Sequence, residues 1–83
     1  MPLDPIFDRL TRILTADFGK DGNALTPTST LRGTLMMDSL DLVDLVFFIE
    51  REFGMEARVD EVREIRSLAS LVEFIRPRAR RTA

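Results

Sequence analysis

Apolar residues recur at helical spacing close to the start of the chain. Asp4 is a suitable N-cap, because its carboxylate can accept a free backbone N–H, and Pro5 suits the first helical position. Gly19 is a suitable end, since glycine readily adopts the left-handed conformation that closes a helix. The pattern therefore predicts a first helix over residues 4–17. Its apolar positions share one face: Ile6, Leu10, Ile13 and Leu14.

Residues 19–37 follow no such period, because Gly, Asn, Pro, Ser and Thr interrupt it. Three leucines are spread through this segment as expected anchors into the core: Leu25, Leu31 and Leu35. A connection this long is unusual in a small domain, and long loops are often functional.

The longest predicted helix begins at Asp38 and Ser39 and runs to about Phe53, where Gly54 ends it. More than one of its faces is apolar, which is typical of a central or partner-binding helix. The predicted core stripe comprises Leu40, Val43, Val46, Phe47, Ile49 and Phe53. Three further apolar residues fall outside the narrowest stripe: Leu42, Leu45 and Phe48.

Two shorter segments complete the pattern. Residues 59–65 predict a short helical turn, with Val62 and Ile65 pointing inward. Ser67 is a suitable N-cap for a last helix, which Pro77 ends. No strand pattern competes, so we expect an all-α fold: a small four-helix bundle of three main helices and one short helix, with a long loop between helices one and two. The last helix has its apolar residues at i, i+3, i+4 and i+7: Leu68, Leu71, Val72 and Ile75.

Composition narrows the possible chemistry. The chain has 83 residues, enough for one small domain, and 45% of them are apolar. It contains no cysteine and no histidine, which excludes disulfides and removes the commonest general base and metal ligand. An ordinary hydrolase or a metal site is therefore not expected, whereas catalysis by Asp or Glu stays possible.

The net charge of −2 conceals an uneven distribution. Residues 38–64 carry nine acidic residues against three arginines, a net charge of −6. Such a surface repels nucleic acid and attracts basic partners. We expect residues 1–77 to form the domain and residues 78–83 to form a basic, disordered tail.

The start of the chain lacks the basic and then apolar pattern of a signal peptide. No stretch approaches the roughly 20 apolar residues of a membrane span. The expected location is the cytoplasm, without membrane insertion.

The motif with the most chemical content is Met-Asp-Ser-Leu-Asp at residues 37–41, where the long loop meets the main helix. Here the chain resembles the acyl carrier protein family, whose hallmark is Asp-Ser-Leu at the start of the second of four helices. The resemblance extends over most of the chain: Leu35 precedes the motif, Asp41 and Asp44 match acidic positions, and residues 50–54 resemble the family's acidic helix end.

The resemblance implies that Ser39 carries a covalent 4′-phosphopantetheine arm derived from coenzyme A, with Asp38 and Leu40 beside it. It further implies a phosphopantetheinyl transferase, an acyl-activating ligase or acyltransferase that loads the arm, and synthase-type enzymes of fatty-acid, polyketide or specialised lipid biosynthesis. The resemblance also implies a non-catalytic carrier, and we expect a monomer. Independently, a serine at a helix N-terminus after a flexible loop should be exposed, and a phosphodiester there would lie near free backbone N–H groups.

The acids of the main helix are expected to steer basic partner enzymes, and apolar residues near Ser39 to contact them. The alternatives are a solvated helix face for the acids and ordinary core packing for the apolar residues. The expected partner contacts are Met37, Asp41, Leu42, Asp44, Phe48 and Glu50.

Several positions depart from the family pattern. Residues 34–37, Thr-Leu-Met-Met, stand where Asp, Leu, Gly and a small residue are usual, and the loss of glycine is expected to stiffen the loop or change its turn. Arg51 replaces a usual acid, and Phe48 stands where a small residue is common. These departures favour a specialised carrier over the housekeeping fatty-acid carrier.

Two other functions stay open. A peptidyl or aminoacyl carrier would have the same fold and arm. An unmodified helical adaptor would bind its partners without any covalent cargo.

Overall fold

The computed structural model describes residues 4–79 and confirms the all-α, four-helix fold. A 3-10 turn at Gly22–Ala24 lies in the long first loop. Within residues 4–79, no helix combines the length and the apolar character needed to cross a lipid bilayer. The helices are α1 (Pro5–Phe18), α2 (Ser39–Phe53), α3 (Val59–Arg63) and α4 (Leu68–Ile75).

The predicted helix ends are confirmed within one or two residues, because each rests on a local hydrogen bond. The Asp4 carboxylate accepts the N–H of Ile6 at 3.0 Å, and Gly19 adopts a left-handed φ of 66°. Gly54 ends α2 in the same way, with φ 60°. Ser67 accepts the N–H of Ser70 at 3.1 Å and so begins α4.

The helix α4 ends at Ile75, ahead of Pro77, and the N–H groups of Arg78 and Ala79 still donate to the carbonyl of Ile75. The Arg78 guanidinium donates to the carbonyl of Phe74 at 2.6 Å and lies 4.0 Å from the centre of that ring. Ala79 packs partly against the core. The boundary predicted between residues 77 and 78 stays a prediction, and residues 80–83 of the predicted tail lie outside the described residues.

The core lies between α2 and its neighbours: α2 contacts α1 and α3, and α1 packs on α4. The three leucine anchors predicted in the long loop are buried in this core. The residues most completely removed from solvent come from all four helices and the loop: Leu10, Leu14, Leu31, Leu42, Leu45, Ile49, Phe53, Val62, Leu68, Leu71 and Ile75.

The core face predicted for α2 is wrong in part. Leu40, Val43 and Phe47 are exposed, with 75%, 48% and 54% of their surface open to solvent. At 100° per residue, the helix carries two apolar stripes whose centres are roughly 135° apart, and only one faces the core. The prediction joined residues from both stripes. The stripe that is buried comprises Leu42, Leu45, Val46, Ile49 and Phe53.

Candidate functional site

The segment before α2 is held in place by backbone hydrogen bonds and buried side chains. Leu31 donates its N–H to the carbonyl of Arg66 at 3.0 Å, and Met37 donates to the carbonyl of Leu31 at 2.9 Å. Leu35 donates to the carbonyl of Thr30 at 2.9 Å. Because the side chains of Leu31, Leu35 and Met37 are buried, this part of the loop fixes where α2 begins.

The N-terminus of α2 is capped by the two aspartates that flank Ser39 and Leu40. The Asp38 carboxylate accepts the N–H of Asp41 at 3.0 Å, and the Asp41 carboxylate accepts the N–H of Asp38 at 3.1 Å. This reciprocal arrangement is a capping box, and it satisfies two N–H groups that the helix itself leaves unpaired. The Ser39 hydroxyl is thus not needed as a cap, and Ser39 is exposed at the first helical position.

Met36 has a left-handed backbone, with φ 54°, and is the one non-glycine residue of positive φ within residues 4–79. This conformation costs an L-residue with a side chain roughly 1–2 kcal/mol. The position is the one where the family usually has glycine. The turn thus keeps a conformation that suits glycine, although methionine occupies it, and backbone strain is stored three residues before Ser39.

The expected site residues fall into two groups. Asp38, Ser39, Leu40 and Asp44 are exposed. Asp41, Phe48 and Glu50 are half-buried, and each makes an intramolecular contact.

Those contacts limit what the half-buried residues present to solvent. Glu50 accepts the N–H of Ala57 at 3.0 Å, which helps to hold the connection between α2 and α3. The ring of Phe48 packs edge-on against that of Phe18, with centroids 5.7 Å apart. Part of each side chain therefore serves the fold.

Met37 and Leu42 do not lie where the sequence analysis expected them. Only 3% and 1% of their surfaces are exposed, so neither side chain is available to a partner. Met37 is drawn inward by the backbone bond to Leu31, and Leu42 lies on the buried stripe of α2. Core packing, the alternative considered for the apolar residues, is the correct interpretation of these two.

Other apolar residues take their place on the surface. Phe47 is supported there by the edge of Phe48, at 5.8 Å between ring centroids, and by the Arg51 guanidinium, 5.6 Å from its ring centre. The second apolar stripe of α2 is the sequence signal for this surface, although the sequence prediction places it in the core. We call these exposed residues the α2 apolar patch: Met36, Leu40, Val43 and Phe47.

The site fits a covalently attached phosphopantetheine arm. Ser39 presents its hydroxyl on an exposed first turn whose cap is already made by Asp38 and Asp41. The chain has no cysteine, so a thiol for holding an acyl group must come from an attached group. Both observations concern this chain's own residues, and both agree with the prosthetic group implied by the sequence.

Comparison with known proteins gives the same assignment. The family model described as "Phosphopantetheine attachment site" matches residues 8–75. An acyl carrier protein of Rubrobacter xylanophilus is 32% identical over 75 residues, covering 90% of this chain and 93% of the relative. An acyl carrier protein of Lactobacillus acidophilus is 29% identical over 76 residues, covering 92% and 95% respectively.

Solved structures agree with the fold. The crystal structure of an acyl carrier protein from Thermotoga maritima superposes with a TM-score of 0.75 at 27% identity, covering 88% of this chain and 85% of that one. The solution structure of the apo doublet acyl carrier protein from prodigiosin biosynthesis gives a TM-score of 0.77 over 92% of this chain and 37% of that one. Because identity to the latter is 18%, that likeness concerns the fold alone.

Proposed function

The chain belongs to the acyl carrier protein family, and we propose that it carries an acyl cargo as a thioester on a 4′-phosphopantetheine arm attached to Ser39. The observation that carries this proposal is the geometry of the first turn of α2. Ser39 is exposed there, while Asp38 and Asp41 satisfy the cap without its hydroxyl.

The charges around Ser39 support an arm that projects outward. A phosphodiester on the hydroxyl lies at the positive end of the helix dipole, near backbone N–H groups. Asp38 and Asp41 already occupy two of those N–H groups and add negative charge beside it. The phosphodiester is therefore not drawn back onto the helix end, and the thiol that the arm supplies is free to reach partner enzymes.

The surface of α2 supports weak and selective docking of those enzymes. The α2 apolar patch offers exposed contact area beside Ser39, and Asp44 adds an exposed charge on the same helix. Surface charges mainly raise association rates and select partners, with little energy per pair. A carrier that visits several enzymes needs this combination, because it must leave each of them quickly.

The proposed partners follow from covalent carriage. A phosphopantetheinyl transferase modifies Ser39, an acyl-activating ligase or acyltransferase loads the arm, and synthase-type enzymes of fatty-acid, polyketide or specialised lipid biosynthesis use the cargo. In this proposal Met36, Leu40, Val43 and Phe47 replace Met37 and Leu42 in the docking surface. Asp41, Asp44, Phe48 and Glu50 keep the roles expected from the sequence.

Mass spectrometry tests the attachment site. The purified chain is incubated with coenzyme A and a phosphopantetheinyl transferase of broad specificity, and its intact mass is measured. We expect a gain of one phosphopantetheinyl group that is absent in Ser39→Ala. Ser70→Ala is the matched control, because Ser70 is also exposed in the first turn of a helix, and it should be modified like the wild type.

The same experiment decides between the carrier and the adaptor. If the wild type gains no mass while a known carrier protein is modified in the same reaction, the unmodified adaptor is favoured. If Ser39→Ala still gains the group, the attachment site is another residue. Loading assays with acyl- and aminoacyl-activating ligases then separate an acyl carrier from a peptidyl or aminoacyl carrier.

A further inference from the structure

A cleft of about 460 Å³ opens between the loop around residues 30–33 and the connection from α3 to α4. Three arginines and one glutamate line it, so its local charge is positive. It thus differs from the surrounding chain, because residues 38–64 are strongly acidic as a whole. We call it the arginine cleft, and it is lined by Thr30, Arg32, Gly33, Arg63, Glu64, Ile65 and Arg66.

The arginines of this cleft are available to a ligand. Within residues 4–79, Arg32 and Arg66 form no ion pair. Arg63 approaches Asp60 at 3.9 Å, which is long for an ion pair, and the exposed fractions of the two side chains are 44% and 77%. A surface pair of this kind contributes little energy, so it competes only weakly with a ligand for Arg63.

On the loop side, the cleft is bordered by a tight turn. Thr30 accepts the N–H of Thr34 on its hydroxyl at 2.9 Å, which closes a tight turn. A Cβ at Gly33 would lie 2.5 Å from that hydroxyl oxygen, so a larger residue there would displace the Thr30 hydroxyl from its hydrogen bond. The cleft therefore has a defined wall of backbone on this side, with no side chain at position 33 to fill it.

The arginine cleft and Ser39 are linked by a short path through the fold. The carbonyl of Arg66 accepts the N–H of Leu31, and the carbonyl of Leu31 accepts the N–H of Met37, two residues before Ser39. Standard backbone dimensions therefore limit the distance from the Arg66 carbonyl to Ser39 to roughly 20 Å. An extended phosphopantetheine arm is of comparable length, and the proposal below requires it to fold back over the surface towards the cleft.

We propose that the arginine cleft binds the carboxylate of an acyl cargo that ends in a free carboxyl group and is held on the arm at Ser39. This proposal rests on the proposed function. Arginine suits the task, because its guanidinium can donate two parallel hydrogen bonds to one carboxylate. The acids of α2 repel an anionic cargo from the surface nearest to Ser39, whereas the cleft attracts it.

The tether makes a weak site effective. A free carboxylate binds exposed arginines weakly, because water competes and salt screens the charges. A short flexible tether, however, gives its end an effective concentration in the millimolar range. A cleft whose dissociation constant is about one millimolar is therefore occupied for a large part of the time by a tethered carboxylate.

The test compares two cargoes that differ mainly in one carboxylate. Chains labelled with ¹⁵N are modified by the transferase with coenzyme A, butyryl-coenzyme A or succinyl-coenzyme A, and intact mass first verifies one arm per chain. The side-chain Nε–H signals of the arginines and the backbone amides of residues 63–66 are then recorded by NMR. We expect the succinyl form alone to shift the signals of Arg32, Arg63 and Arg66.

Variants locate the effect. Arg63→Gln combined with Arg66→Gln should reduce the succinyl-dependent shifts at Arg32 at least threefold. Arg12→Gln is the control, because Arg12 is an exposed arginine on α1 whose side chain is outside the cleft, and it should leave the shifts unchanged.

Three results would overturn the proposal. Identical spectra of the butyryl and succinyl forms would mean that the cleft ignores the carboxylate. Succinyl-dependent shifts at arginines outside the cleft would place the carboxylate elsewhere. Equal shifts of the cleft arginines in the chain modified with coenzyme A alone would mean that the cleft binds the phosphodiester of the arm and not the cargo.

Failure of the proposed function is recognised separately. If no arm is attached, the mass measurement reports it before any NMR is recorded. The cleft is then tested on the unmodified chain with free succinyl- and butyryl-pantetheine at concentrations on the order of tens of millimolar. Shifts at the cleft arginines with the succinyl compound alone support anion binding there, and their absence contradicts it.

Discussion

Asp38 and Asp41 each accept the backbone N–H of the other, and Ser39 lies exposed between them. The first turn of α2 is therefore stabilised by residues that flank Ser39, so the hydroxyl that we propose as the attachment point is not needed for the cap. Different residues therefore determine the stability of the turn and the modification of Ser39, and the two properties can be measured separately.

Removing one half of this capping box should cost stability without removing the proposed attachment site. We expect Asp38→Ala to lower the free energy of unfolding by about 1 kcal/mol, the usual cost of losing an N-cap. Asp38→Ser should recover most of the loss, because serine also caps well. Urea unfolding followed by circular dichroism measures both values, and intact mass should show that Asp38→Ser is still modified. Equal destabilisation by alanine and serine would contradict a capping role.

The strain at Met36 predicts a stabilising substitution. Met36→Gly relieves a left-handed conformation that costs roughly 1–2 kcal/mol, although glycine also gives the unfolded chain more freedom. We expect a net gain of about 0.5 kcal/mol in the free energy of unfolding. Since Met36 is 78% exposed, little packing is lost.

Two further variants make the test at Met36 specific. Met36→Val should destabilise the chain, because β-branched residues are poorly tolerated at positive φ. Met37→Gly should also destabilise it, since that side chain is buried. A loss of stability in Met36→Gly, measured by urea unfolding, would show that strain at this position is negligible.

The parts of the fold that were predictable from sequence are those that depend on neighbouring residues. Asp4, Asp38 and Ser67 begin helices because their side chains reach N–H groups two or three residues away. Gly19 and Gly54 end helices because the left-handed conformation costs glycine little. Such signals are complete within a few residues of the chain.

The parts that were not predictable depend on distant contacts. Met36 lies between two residues whose N–H groups are held by the loop: Leu35 donates to the carbonyl of Thr30, and Met37 donates to the carbonyl of Leu31. These two hydrogen bonds set the backbone conformation of Met36. In α2 both apolar stripes satisfy the helical period, and only packing against α1 and α3 selects the one that is buried. Periodicity alone offered no reason to prefer Leu42 over Leu40 for the core.

Leu40 and Leu42 should therefore respond differently to truncation. We expect Leu42→Ala to lower the free energy of unfolding by about 2–5 kcal/mol, as is typical for a buried leucine. Leu40→Ala should change it by less than about 0.5 kcal/mol, because its side chain is on the surface. Thermal and urea unfolding of both variants measure the difference.

Leu40→Ala also tests the proposed docking surface. Leu40→Ala should lower the kcat/KM of the phosphopantetheinyl transferase for this chain several-fold, because the proposed contact patch loses its residue next to Ser39. Thr28→Ala is a control for general effects, since Thr28 is exposed in the long loop and outside the patch. An unchanged kcat/KM in Leu40→Ala would remove Leu40 from the docking surface of the transferase.

The pairing of Asp4 with Arg76 predicts how stability changes in acid. The hydrogen bond and charge of Arg76, together with the N–H of Ile6, hold the pKa of Asp4 below its ordinary value of 3.8. Because the pKa is lowered in the folded state, the pair stabilises the fold fully above the ordinary value. That stabilisation is lost as the pH falls through the lowered value.

A substitution isolates this contribution. Asp4→Asn keeps a good N-cap but removes the charge, so at pH 7 it should be less stable than the wild type by a few tenths of a kcal/mol. The difference should shrink as the pH is lowered below 3.8, because Asp4 of the wild type then becomes neutral as well. Urea unfolding of both chains from pH 2 to pH 7 measures the difference. A gap between the two chains that stays constant over this range would mean that the Asp4 carboxylate gains nothing from Arg76.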